Sequence, residues 1–313
     1  EAYEPGGFPT TGNGQKVDDR TLARIREASW QPSDSENAWG LVYPDLTRTF
    51  APLFVPRLLD RGWAMQQAWK RHMRVPDASL NGWRQGVAAG WRPSTAFGVT
   101  VVETGGRHLF ATYDANPCAA SSAECPDDVT QRYDVPIVTA ARLAATFPIV
   151  APVARAQVDA PAYHLSDGGI WDNFGLTAAL EWLNRATLAS PPDAPRREVL
   201  LIEIRSSPTE RPLPPEEERA WAYELIGPLQ AMNGVRSNAQ RVRNEFEISL
   251  LADSWAASGN APALTRAVFE LSDPQAKLAW HIGRRDLQRI KDAWLLEKNK
   301  AALEKVQAFL SVQ

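Results

Sequence analysis

The sequence predicts an α/β fold with a mostly parallel sheet and helices on both of its faces. The run "REVLLIEIRSSP" is almost wholly apolar from Val199 to Ile204, the pattern of a strand buried on both faces in a parallel sheet. Just before it, "NFGLTAALEWLNRA" places Leu176, Leu180 and Leu183 on one helical face. A second strand pattern, "TRAVFELS", follows a helical stretch, and alternation of strand and helix implies right-handed crossovers.

The remaining elements follow in chain order. Residues 1–40 form an opening segment rich in Gly, Pro, Thr and Asp, with one short helical pattern, "DRTLARIREASW". From Tyr43 to His72 the chain predicts an amphipathic helix, with Leu58, Leu59, Gly62, Trp63, Gln66 and Trp69 inward and Arg61, Lys70 and Arg71 outward. Its tryptophans fit a core stripe better than a lipid contact. "TAFGVTVVET" and "RHLFATY" are β-branched and aromatic runs separated by Gly105 and Gly106, a hairpin pattern. A polar loop spans about 114–132, and a small-residue helix from Ala140 to Thr146 is stopped by Pro148. After an acidic, proline-rich loop, the region from about 216 is helical, with helices over Arg219–Met232 and Val235–Ala252. A long terminal helix runs from Arg284 to about Leu310.

Composition narrows the function classes. The chain has 313 residues, 44% of them hydrophobic and 23% charged, enough apolar content for a large core. A net charge of -3 supplies no basic field for a nucleic-acid backbone, so no nucleic-acid partner is expected. The longest apolar runs fall far short of the ~20 residues that cross a bilayer. Cys118 and Cys125 share one polar loop and are read as free thiols, with a disulfide as the alternative.

The chemistry concentrates in "YHLSDGGIWDN", Tyr163 to Asn173. In Asp167-Gly168-Gly169 the glycines permit positive φ and put no Cβ between the turn and a neighbouring backbone, so the carboxylate can stand at a strand end. There it can accept a proton from a hydroxyl. Asp-Gly pairs are also ordinary turn formers, and Asp167 could do no more than cap the following helix. Asp172, next to the helix that begins near Asn173, is read as a dipole partner of that helix, and Asn173 as tying the turn through its side chain. A metal site of Asp167, Asp172 and His164 is chemically conceivable and disfavoured, and Ser166 lacks the glycine neighbours of a nucleophile.

Residues Val138 to Gly175 resemble the second half of the patatin-like phospholipase domain, in its bacterial branch. A small-residue helix leads to Phe147-Pro148, then to Asp167, Gly168 and Gly169, with Asn173 six positions after the aspartate. "LLDRGWAMQQAW", "FGVTVVETGGRHLFAT" and "LAWHIGRRDLQRIKDAW" extend the resemblance over roughly residues 40 to 310. It implies a three-layer α/β/α fold, with residues 41–313 as the C-terminal part of one domain. It also implies a Ser-Asp dyad in which Asp167 is the general base, supported by Gly168, Gly169 and Asn173. The expected activity is release of fatty acid from a lipid ester, with no cofactor and no metal. The alternative is a non-catalytic scaffold or lipid-sensing module of the same fold.

No serine here lies in Gly-x-Ser-x-Gly, and there is no Gly-Gly-Gly oxyanion loop. Both precede the matched region in the family, so the expected partners are a lipid or membrane-surface substrate and an N-terminal segment carrying the serine. Without that segment the fold should be incomplete, since central strands would be missing. The expected location is the cytoplasm, at the inner face of a membrane; secretion is the alternative if Cys118 and Cys125 are bridged.

Overall fold

A computed structural model describes residue 23 and residues 34–51, 59–115, 134–146, 154–155, 163–189, 198–205, 221–258, 263–270 and 283–311. The chain divides into two compact units, Glu1–Trp171 and Asp172–Gln313. The division falls within the quoted stretch. The structure is a mixture of helices and small sheets, one of them parallel, as an α/β reading requires.

In the first unit, α1 (Asp34–Gly40), a π-helical segment (Leu41–Leu46) and α2 (Thr47–Phe50) precede α3 (Arg61–His72). The single amphipathic helix expected from Tyr43 to His72 is thus broken. Asp60 is the reason: its backbone is extended and its Oδ1 accepts from Trp63 N at 2.7 Å, so a new helix starts there. The buried residues of α3 are Gly62, Ala64, Met65 and Ala68, while Trp63, Gln66 and Trp69 are only partly covered. Small side chains let the helix approach its neighbours closely. α4 (Leu80–Ala88) is capped by Ser79, whose Oγ accepts from Gly82 N at 3.1 Å.

β1 (Ala96–Val101) and β2 (Arg107–Ala111) form the expected hairpin. Gly105, at φ 66°, supplies the left-handed residue of its loop. α5 (Ile137–Ala144) starts three residues earlier than its composition suggested, because Pro136 fixes a φ suited to helix entry. β3 (Ala154–Arg155) and β4 (His164–Asp167) complete a sheet of order β2-β1-β4-β3, antiparallel throughout. The core beneath it gathers Leu80, Val99, Val101, Phe110, Ile137, Ala140, Leu143 and Leu165.

The second unit begins at the end of a one-turn helix, α6 (Gly169–Asp172), followed by α7 (Leu176–Leu188). β5 (Val199–Arg205) pairs in parallel with β6 (Leu264–Glu270), as the sequence implied. The larger sheet is the antiparallel one, however, so a mostly parallel sheet is not what the described residues form. Two antiparallel pairs, β1 with β2 and β3 with β4, build the larger sheet, and antiparallel pairing needs no crossover helix.

Burial on β5 also departs from expectation. Ile202 and Ile204 are 47% and 64% exposed, whereas Glu203 and Arg205 are buried. The charges are tolerated inside because they are paired. Arg205 Nε donates to Glu203 Oε1 at 2.7 Å, Arg205 Nη2 to Glu245 Oε1 at 2.9 Å and Arg266 Nη2 to Glu203 Oε2 at 2.6 Å. Glu245 comes from α8 (Trp221–Ser258), one continuous helix where two were expected. Gly234 costs a helix only ~1 kcal/mol, too little to end one.

The terminal helix is instead two, α9 (Arg284–Ala293) and α10 (Glu297–Ser311). Fully buried Asn299 holds the break together. Its Nδ2 donates to Ala293 O at 2.7 Å and Glu270 O at 2.8 Å, and its Oδ1 accepts from Glu270 N at 2.9 Å. Cys118, Cys125 and Pro148, with most of the polar loop, lie outside the described residues. Among the described residues no helix is long and apolar enough to cross a membrane.

Candidate active site

Asp167 is the last residue of β4, opposite Val99 of β1. Its main chain is held from two sides. Thr100 Oγ1 donates to Asp167 O at 2.8 Å, and Asp167 N donates to Thr146 O at 3.1 Å. Gly168 N donates to Ala144 O at 3.3 Å. Ala144 and Thr146 lie at the C-terminal end of α5, where helical carbonyls have no partner within the helix. The strand end therefore satisfies the helix end. Thr146 closes that end further, donating from Oγ1 to Arg142 O at 3.0 Å.

Gly168 is required here by close approach, not by positive φ. A Cβ on it would lie 2.6 Å from the carbonyl carbon of Gly98 and nearer still to the oxygen. Both atoms are backbone and cannot swing aside. The reverse contact is loose, since a Cβ on Gly98 would meet only Leu109 Cδ2 at 3.7 Å. The spacing of the Asp-Gly-Gly stretch does not point to Gly98 or Thr100. An isolated glycine in "FGVTV" was the available signal, because glycine inside a strand marks close backbone approach.

The side chain of Asp167 closes an Asx turn, its Oδ1 accepting from Gly169 N at 2.6 Å. Trp171 N then donates to Gly168 O at 3.0 Å, and the Arg107 guanidinium stacks 4.7 Å from the Trp171 ring centroid. That bond from the Gly169 N–H fixes the orientation of the carboxylate, which has about four acceptor positions. Chemically, this is a fixed carboxylate able to take a proton from a positioned hydroxyl. Ser166 is buried with Oγ 3.5 Å from Thr146 O, on the strand face opposite Asp167.

His164, at the other end of β4, is bound to Glu103. Its main-chain N donates to Glu103 Oε2 at 2.9 Å, and its Nδ1 meets Glu103 Oε1. These bonds from His164 hold the Glu103 carboxyl below its ordinary pKa. Among the described residues no three His, Cys, Asp or Glu side chains are grouped to hold a metal ion.

In the second unit, Asp172 serves α7. Its Oδ2 accepts from Thr177 N at 3.1 Å and Ala178 N at 3.4 Å, in the first turn of that helix. The Asn173 side chain is exposed, and the residue is tied instead by its main-chain N, which donates to Gln240 Oε1 at 3.0 Å. Compared with protein-family models the chain matches none, and no curated protein matches it closely.

Proposed function

We propose that this chain is the aspartate-bearing part of a patatin-like lipid acyl hydrolase, of phospholipase or esterase type, working through a Ser-Asp dyad. The observation that carries this reading is the fixed carboxylate of Asp167 at the end of β4, fastened to α5 and β1 and set by the Gly168 contact. Asp167 would take the serine proton as the serine oxygen attacks the ester carbonyl carbon, and return it to the departing alcohol. It would then activate the water that frees the fatty acid.

The serine and the oxyanion donors belong, in this proposal, to a segment outside these 313 residues, because the sequence holds no Gly-x-Ser-x-Gly. Exposed Ile202 and Ile204 on the two-stranded parallel sheet support a companion segment that completes a three-layer α/β/α fold. The proposed setting is the cytoplasmic face of a membrane, where a lipid ester is presented. One observation favours the second reading, a non-catalytic scaffold or lipid-sensing module: the Asp167 carboxylate already has a structural task in accepting from Gly169 N.

Labelling of the natural full-length protein with a fluorophosphonate, which reacts only with an activated serine, tests the choice. Asp167→Asn is the informative variant, since its amide oxygen can still accept from Gly169 N. Label outside these residues, lost in Asp167→Asn, supports the hydrolase. A folded protein that takes no label belongs to the second reading.

A further inference from the structure

Where α7 meets α8, the second unit encloses polar side chains beside an apolar core. Leu176 and Leu180 of α7 pack with Ile248 of α8. One and two turns before Ile248, Asn244 and Gln240 are 2% and 6% exposed. Amides buried next to such a core are costly unless their N–H and C=O groups find partners.

Gln240 has such a partner, since its Oε1 accepts from Asn173 N. Asn244 is poorly served. Its Oδ1 lies 3.5 Å from Thr177 Oγ1, but a hydroxyl has a single proton to give, and Glu247 Oε2 is nearer at 3.1 Å. Asn244 Nδ2 is buried and has no hydrogen-bond partner among the described residues. The same holds for Asp172 Oδ1, although Asp172 Oδ2 accepts from Thr177 N and Ala178 N. Thr177 joins the two side chains, meeting Asp172 through its main-chain N–H and Asn244 through its hydroxyl.

A buried donor and a buried acceptor gathered on one residue are complementary, yet they do not bond each other. We propose that a buried water molecule occupies this corner, accepting from Asn244 Nδ2 and donating to Asp172 Oδ1. A water joins two atoms as far as about 5–6 Å apart, the length of two hydrogen bonds end to end. The charges of the corner select water over an ion: the carboxylates of Asp172 and Glu247 repel an anion, and the amide N–H bonds of Asn244 repel a cation. Turning the Asn244 amide over keeps the site. Nδ2 then donates to Thr177 Oγ1, Oδ1 faces the corner, and the water serves it with its second proton. The water fastens the first turn of α7 to α8, and this role is independent of the hydrolase reading above.

A high-resolution crystal structure of the natural full-length protein, with urea unfolding of Asn244→Leu, tests the proposal. Density for one water within about 3.2 Å of both the Asn244 amide and Asp172 Oδ1 is expected. With the water in place, Asn244→Leu strands the water and Asp172 Oδ1 and should raise the unfolding equilibrium constant about 10-fold. With an orphaned amide instead, the same change removes a buried unpaired group and lowers that constant. No density between the two side chains, or a constant that is unchanged or lower in Asn244→Leu, overturns the proposal. So does density with oxygen contacts of about 2.3–2.6 Å and an unfolding midpoint that rises with added calcium, which would make the occupant a cation. Should Asn244→Leu fail to fold, the density alone decides.

Discussion

Replacing Gly168 by alanine inserts one methyl group where β1 and the turn after β4 touch. The new Cβ would stand 2.6 Å from Gly98 C and 3.2 Å from Gly98 Cα. Ordinary carbon contacts are about 3.5–4.0 Å, so the turn must retreat by about 1 Å. That retreat pulls on three hydrogen bonds, Thr100 Oγ1 to Asp167 O, Asp167 N to Thr146 O and Gly168 N to Ala144 O. Each contributes about 1 kcal/mol net, and overpacking adds about 1–3 kcal/mol, for a loss of about 4–6 kcal/mol if all three bonds are lost. Gly98→Ala is the matched control, because its methyl group meets only a flexible leucine end and should cost under about 1 kcal/mol. Urea unfolding followed by tryptophan fluorescence measures both. Equal midpoints for the two variants would mean that the close approach of Gly168 to the Gly98 carbonyl does not hold the turn.

Gly234→Ala should act in the opposite direction, raising stability by about 0.5–1 kcal/mol, since a Cβ there meets nothing within 4 Å in the interior of α8; thermal unfolding reads it. Asn299→Leu leaves the main-chain groups of Glu270 and Ala293 O without their partner and should cost about 3 kcal/mol in urea unfolding. Hydrogen bonds from Arg266, then from Arg205, draw the Glu245 carboxyl down to about 2 from its ordinary 4.5. A depressed carboxyl stabilises the fold above pH 4.5 and loses that contribution as pH falls from 4.5 towards 2. Glu245 is half-exposed, so after solvent screening the contribution is about 1 kcal/mol. Glu245→Gln should lower stability at neutral pH and flatten that acid limb, measured as unfolding midpoint against pH.

Local pattern carried the reading far where neighbours in sequence decide the structure. The β1–β2 hairpin, the α7 helix and the parallel β5–β6 pair follow from glycine placement and apolar period. Burial on β5 was not legible, because the partners that let Glu203 and Arg205 go inside come from Glu245 and Arg266, far along the chain. The break between α9 and α10 was hidden for the same reason: Asn299 reads as a surface helix residue until β6 offers it a strand edge. At the candidate site, Asp167 and its glycines stood out by spacing, whereas Thr100 and Gly98, which hold the turn from across the sheet, come from a strand nearly seventy residues earlier. The spacing points to the Asn173 side chain, whereas the residue is held by its backbone N–H.

Ester hydrolysis by the natural full-length protein, compared between Asp167→Asn and Asp172→Asn, bears straight on the role of the quoted stretch. A general base contributes typically about 10²–10⁴-fold, so Asp167→Asn should lower kcat/KM by at least about 100-fold. Asp172→Asn, which removes a helix cap, should leave kcat/KM within a few-fold and show its effect in unfolding. Unchanged hydrolysis in a folded Asp167→Asn protein would return Asp167 to the turn it also builds.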